Sequence, residues 1–145
     1  IGKNHKSAIG TIVERKTRFT LILKLSSKKA EEVAQVFSKI LNQLNSKFKK
    51  SMTYDNGIEM AKHEKITEKT SMKIYFAHPY SSWERGTNEN TNGLIRRYLP
   101  KGTNFNEISE NQLLIIQKKL NNRPRKIIGY KTPQEMMNIE LKNVA

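Results

Sequence analysis

Asp55 is the sole aspartate of a 145-residue chain that carries 27 lysines and arginines against 13 acidic residues. A chain this basic has reason to avoid carboxylates, so those at loop ends or on polar helix faces are candidates for chemistry. Asp55 closes the short β-rich run Ser51–Tyr54 and is followed by Asn56 and Gly57. The end of a strand is where open α/β sheets place ligand-binding groups. Asp-Asn-Gly is equally a turn sequence, since Asp and Asn tolerate a left-handed backbone and Gly adopts it freely. Glu89 falls early in a helical segment that starts near Thr87, where a carboxylate also complements the helix dipole. At 100° per residue Asn92, Gly93 and Arg96 share its face, and Thr91, Leu94, Ile95 and Tyr98 lie opposite. Carboxylate oxygens are the ligands that Mg²⁺ or Mn²⁺ requires, and two of them can hold metal against a phosphodiester. Arg85, Arg96, Arg97 and Lys101 surround Glu89 in sequence, and guanidinium forks match phosphate oxygens.

Other chemistry is weaker. His5, His63 and His78 share no metal-ligand spacing, and Ser81-Ser82 lacks the glycine-flanked elbow of a nucleophilic serine. Trp83 reads first as a loop anchor and second as a stacking platform. The absence of cysteine excludes disulfides and cysteinyl zinc sites and permits a reducing compartment.

The net charge of +14 and a pI near 10.0 point to a polyanionic partner, nucleic acid foremost. The longest apolar runs, Leu113–Ile116 and Ile74–Ala77, are four residues each. A membrane helix needs roughly 20, so no bilayer crossing is expected. The length fits one domain over residues 1–145. The chain opens on Ile1 with no signal-peptide pattern, and we expect an N-terminally truncated unit.

The elements that must position these residues follow from periodicity. Ser7–Glu14 and Phe19–Leu25 are β-rich and read as a hairpin. Ala30, Val33, Phe37, Ile40, Leu41, Leu44 and Phe48 form a helical stripe, with Ser26 or Ser27 as the expected cap. A helix over Ile58–Lys69 and a strand over Met72–Ala77 follow Asp55. Beyond the loop His78–Gly86, a helix runs to Tyr98, and Pro100 and Gly102 end it. Another covers Ser109–Asn122 with Ser109 as cap, and a last one opens at Thr132-Pro133. This order describes a mixed α/β sheet with helical layers.

Tyr54-Asp55-Asn56-Gly57, together with the run from His78-Pro79-Tyr80 through Trp83-Glu84-Arg85-Gly86-Thr87-Asn88-Glu89 and Asn92-Gly93-Leu94-Ile95-Arg96-Arg97-Tyr98 to Lys101-Gly102, closely resembles the catalytic core of bacterial transposases of the insertion-sequence-thirty family. Residues 7–25 and Leu120-Asn121-Asn122-Arg123-Pro124-Arg125 extend the resemblance over nearly the whole chain. It implies the retroviral-integrase-like superfamily, a ribonuclease-H-like fold with helices on both sides of the sheet, and an Asp, Asp, Glu triad with 33 residues between its last two members. Asp55 and Glu89 are 33 residues apart in that sense.

In the resemblance, Asp55 and Glu89 are catalytic and ligate two Mg²⁺ or Mn²⁺ ions. Arg85, Asn92, Arg96, Arg97 and Lys101 bind DNA. The partners are transposon ends and target DNA, the full-length protein is a homo-oligomer on DNA, and the setting is the bacterial cytoplasm at the nucleoid. The family's first aspartate lies on a first strand that would end about where this chain begins. Glu14 matches a hairpin end and is rejected as its substitute. With that strand missing, the chain is expected to be inactive in cleavage and strand transfer. Two other readings stay open: a non-catalytic nucleic-acid-binding module whose C-terminal helices form a helix-turn-helix, and a metal-dependent nuclease of the same fold.

Overall fold

The computed structural model describes residues 7–44, 50–54, 61–76 and 86–143. Asp55, Arg85, His5, His78, Trp83, Phe48 and the expected helix start at Ile58 lie outside the described residues.

Strands β1 (Ala8–Val13) and β2 (Thr20–Leu25) form the expected antiparallel hairpin, with Ala8 opposite Leu25 and Val13 opposite Thr20. Its turn is organised by Glu14, whose carboxylate accepts from the Thr17 amide at 2.6 Å and the Thr17 hydroxyl at 2.7 Å. Helix α1 (Ala30–Asn42) follows. Neither Ser26 nor Ser27 caps it, contrary to expectation, and Lys29 takes the cap position. Both serine hydroxyls donate instead to the Glu32 carboxylate, which also accepts from the Ser26 amide at 2.7 Å. Desolvation raises the Glu32 pKa, but these hydrogen bonds together outweigh it and hold the carboxyl below its ordinary value.

Strand β3 (Ser51–Tyr54) pairs in parallel with β4 (Lys73–Phe76) across helix α2 (His63–Thr70). A parallel pair needs such a crossover, because its two strands run in the same direction. The expected mixed sheet is present as these two ladders; among the described residues no pairing joins them. Helices α3 (Gly86–Ile95), α4 (Glu110–Asn121) and α5 (Pro133–Lys142) complete the chain.

Strand alternation divides the core into two layers. Ala8, Leu23 and Leu25 pack with Val33, Phe37 and Leu41 of α1, Ile66 of α2 and Met72. Met52 and Ile74 add to this cluster, so one apolar core binds both ladders together. Gly10 belongs to the same side; a Cβ there would stand 3.1 Å from the Phe37 ring, which would have to shift by a few tenths of an ångström, so glycine suits the close approach of α1. On the other side Ile22 packs with Ile95, Leu99, Phe105, Leu113, Ile116 and Leu120, and Ile9 borders them. The result is helix, sheet, helix.

Candidate functional site

Helix α3 presents Glu89 in its first turn, exposed, with no ion-pair partner among the described residues. What holds the helix in place is the opposite side. Thr91 and Ile95 are buried and Leu94 is half-buried against the sheet. The expected division of faces is therefore observed through Ile95. It fails at Tyr98, which is exposed, because the α-helix ends at Ile95 and the chain continues as a turn that no longer follows the 100° phase. The Tyr98 ring instead lies under the Lys119 ammonium of α4, 5.6 Å from its centroid.

Asn92 shares the Glu89 side but is half-buried, and its Oδ1 accepts from the Thr11 hydroxyl of β1 at 3.1 Å. That bond fixes α3 to the hairpin one turn beyond Glu89. Arg96 is also half-buried, and its Nη1 donates to the Leu99 carbonyl at 3.4 Å, across the turn that ends the helix. Arg97 and Lys101 are exposed. Of the expected DNA-binding set, Arg97 and Lys101 face solvent, Asn92 and Arg96 have structural partners, and Arg85 lies outside the described residues. Asp55 does too; β3 ends at Tyr54, immediately before it. Among the described residues no group of three metal-ligating side chains converges. The carboxylate oxygens of Glu89, exposed at a helix start, suit a hard divalent cation.

Three positioning residues escaped sequence reading. Asn121 of α4 makes two bonds to the Thr20 backbone, accepting from its N–H and donating to its carbonyl, both at 2.9 Å. Gln117, one turn earlier, accepts from the Ile22 N–H at 2.9 Å. Thr11 is the third, through Asn92. The only sequence signal was a pair of amides four residues apart beside the apolar stripe of α4.

Residues 1–82 match the integrase core domain family. The chain belongs to that family. The match includes Asp55 and stops short of Glu89. Over 135 residues this integrase core is 53% identical to a transposase for insertion sequence element IS4351 from Bacteroides fragilis, covering 93% of the chain and 41% of the relative. Over 131 residues it is 46% identical to the transposase InsI for element IS30C from Escherichia coli strain K12, covering 90% of the chain and 34% of the relative. The chain thus spans less than half of the curated relatives it matches, and the resemblance to insertion-sequence-thirty transposases is shown. Its fold is that of the catalytic core domain of BIV integrase, at TM-score 0.72 and 20% identity, over 100% of this chain and 94% of that one. The ribonuclease-H-like α/β architecture follows from that likeness. No helix among the described residues is long and apolar enough to cross a membrane.

Proposed function

We propose that this integrase core is the catalytic region of a DNA transposase, with Asp55 and Glu89 as metal ligands and the carboxylate of Glu89 on α3 as the observation that carries the reading. Glu89 is exposed, as are the cations Arg97 and Lys101 that follow the helix, and the helix's other side is anchored to the hairpin. A pair of Mg²⁺ or Mn²⁺ ions, when bound, would supply charge neutralisation at phosphorus and activation of an attacking water or DNA 3′-hydroxyl. The protein's own residues hold and orient the DNA. Arg97 and Lys101 contact backbone phosphates, Asn92 and Arg96 keep α3 and its terminal turn in position, and Arg85 joins the phosphate contacts at the helix entry.

The third carboxylate belongs to a strand upstream of β1 in the family pattern. Residues 1–145 then form one core domain of a longer protein that acts on transposon ends and target DNA as a homo-oligomer in the cytoplasm, at the nucleoid. The helix-turn-helix alternative finds no support: α4 and α5 are joined by residues 122–132, far beyond the roughly 3–4-residue turn of that motif.

The test is nicking and joining of plasmid DNA by a chain extended upstream through the aspartate-bearing strand, with Mg²⁺ or Mn²⁺ present. Asp55→Asn and Glu89→Gln should each lower turnover by roughly a hundredfold or more, since loss of residues merely supporting a ligand costs 10–100-fold. Each exchange keeps size and hydrogen-bonding capacity, so the melting temperature should hold. Full turnover by the Glu89→Gln chain would remove Glu89 from the site. Hydrolysis without a joined product would favour the nuclease reading.

A further inference from the structure

The stretch from Asn111 to Gln134 holds no acidic residue and six cations: Lys118, Lys119, Arg123, Arg125, Lys126 and Lys131. Part of it closes into a compact loop after α4. The Arg125 N–H donates to the Lys131 carbonyl at 3.0 Å, and the Tyr130 N–H returns to the Arg125 carbonyl at 2.8 Å. The Arg125 guanidinium is spent internally, donating to the Leu120 carbonyl at 2.9 Å and to the Arg123 carbonyl at 3.3 Å, where it caps the end of α4. Burial, then the neighbouring charges of Arg123 and Arg18, push Arg125 below the ordinary arginine value. Arg123, Lys126 and Lys131 are exposed and have no carboxylate partner among the described residues. The acids of α5 are Glu135 and Glu140, and the buried Glu140 is paired with Lys16 of the hairpin turn at 2.8 Å.

Two apolar side chains project from this cationic loop. Ile127 is 71% exposed and Tyr130 is 69% exposed. Gly129 and Tyr130 are both left-handed, at φ 66° and 62°. Such a backbone suits glycine and is unfavourable for a bulky residue, so the fold holds an exposed tyrosine in a strained conformation that nothing in its packing repays. The exposed ring thus stands beside cations that meet no carboxylate among the described residues. Aromatic rings interleaved with cations fit nucleic acid, the rings lying on sugar or base and the cations on phosphate.

We propose that this loop is a second DNA-contact surface, separate from the Glu89 face, in which Arg123, Lys126 and Lys131 grip the phosphates of duplex DNA and Tyr130 and Ile127 rest against its sugars. The inference rests on the DNA reading above. The loop follows α4 where Asn121 meets Thr20, beside the hairpin turn, whereas α3 engages β1 at Thr11. The two surfaces would thus contact different stretches of one duplex.

The experiment is fluorescence anisotropy of a labelled duplex with the 145-residue chain over a series of salt concentrations. The combined Arg123→Gln, Lys126→Gln and Lys131→Gln variant should bind roughly tenfold or more weakly, with the slope of log affinity against log salt reduced by about 3. A control losing equal charge from exposed Lys39, Lys62 and Lys69 should change both far less. Tyr130→Gly should weaken binding by roughly fivefold or more while its melting temperature stays level or rises, because glycine relieves the strain.

Loop and control variants with equal affinity and equal slope would overturn this surface while leaving the DNA reading standing. Absence of duplex binding by the unaltered chain would overturn both. Unchanged affinity of Tyr130→Gly would overturn the tyrosine contact. If circular dichroism shows the triple variant unfolded, Lys126→Gln and Lys131→Gln, each exposed, are read singly against Lys62→Gln, and equal salt slopes would overturn the proposal.

Discussion

Helices α3 and α4 cover the same face of the β1–β2 hairpin, and they do so with different means. Helix α4 begins in a capping box, the Ser109 hydroxyl accepting from the Gln112 N–H while the Gln112 side chain accepts from the Ser109 N–H. It then buries Leu113, Ile116 and Leu120 on one stripe and satisfies the edge of β2 with Gln117 and Asn121. Among its described side chains, helix α3 buries Thr91 and Ile95, with Leu94 half-buried, and it carries Gly93 in its interior. A side-chain bond from Thr11 to Asn92 ties it to the sheet. On the proposed reading, α3 gives up apolar area to offer a carboxylate and open space to a ligand, and its neighbour supplies the rigidity. Stability should therefore reside in α4, and function in α3.

The largest test of that division is Leu120→Ala. Leu120 is fully buried, so its truncation removes transfer energy and leaves a cavity, at a cost of about 2–5 kcal/mol. Urea denaturation followed by circular dichroism measures it. A loss under about 1 kcal/mol would mean that α4 is not the rigid element. Asn121→Ala comes next. It strands a buried N–H and carbonyl of Thr20 together, and we expect a loss of about 2–3 kcal/mol in the same titration. Asn121→Asp should not rescue it, since a carboxylate cannot donate to the Thr20 carbonyl.

What could be read beforehand tracks how local each interaction is. The α1 stripe of Val33, Phe37 and Leu41 and the Ser109 cap depend on residues within a turn or two of each other, and periodicity exposes them. The Asn121–Thr20 bonds span 101 residues and the Thr11–Asn92 bond 81, and no local pattern records either. Ser26 and Ser27 had the chemistry of caps, but the Glu32 carboxylate in the first turn competed for their hydroxyls. Tyr98 was misassigned because a 100° phase was carried past the point where the helix stops. The proposed pairing of Asp55 with Glu89 draws on residue type and family resemblance, since neither spacing nor periodicity relates a strand end to a helix start across 33 residues.

The smallest expected effect is the most discriminating. Gly93 sits inside α3 on the exposed side with Glu89, and a Cβ built there meets nothing within 4 Å. Glycine in a helix interior is less favourable than alanine by about 0.5–1 kcal/mol, so Gly93→Ala should stabilise the free protein by that amount in urea. Among the described residues nothing packs against this position, which leaves room for the close approach of a ligand. Gly93→Ala should then weaken duplex binding at constant salt, although it removes no charge and adds stability. Greater stability with unchanged DNA affinity would place the DNA away from this face of α3. It would leave Glu89 as a carboxylate serving the helix dipole, a role that Asp could share at little cost and Gln could not.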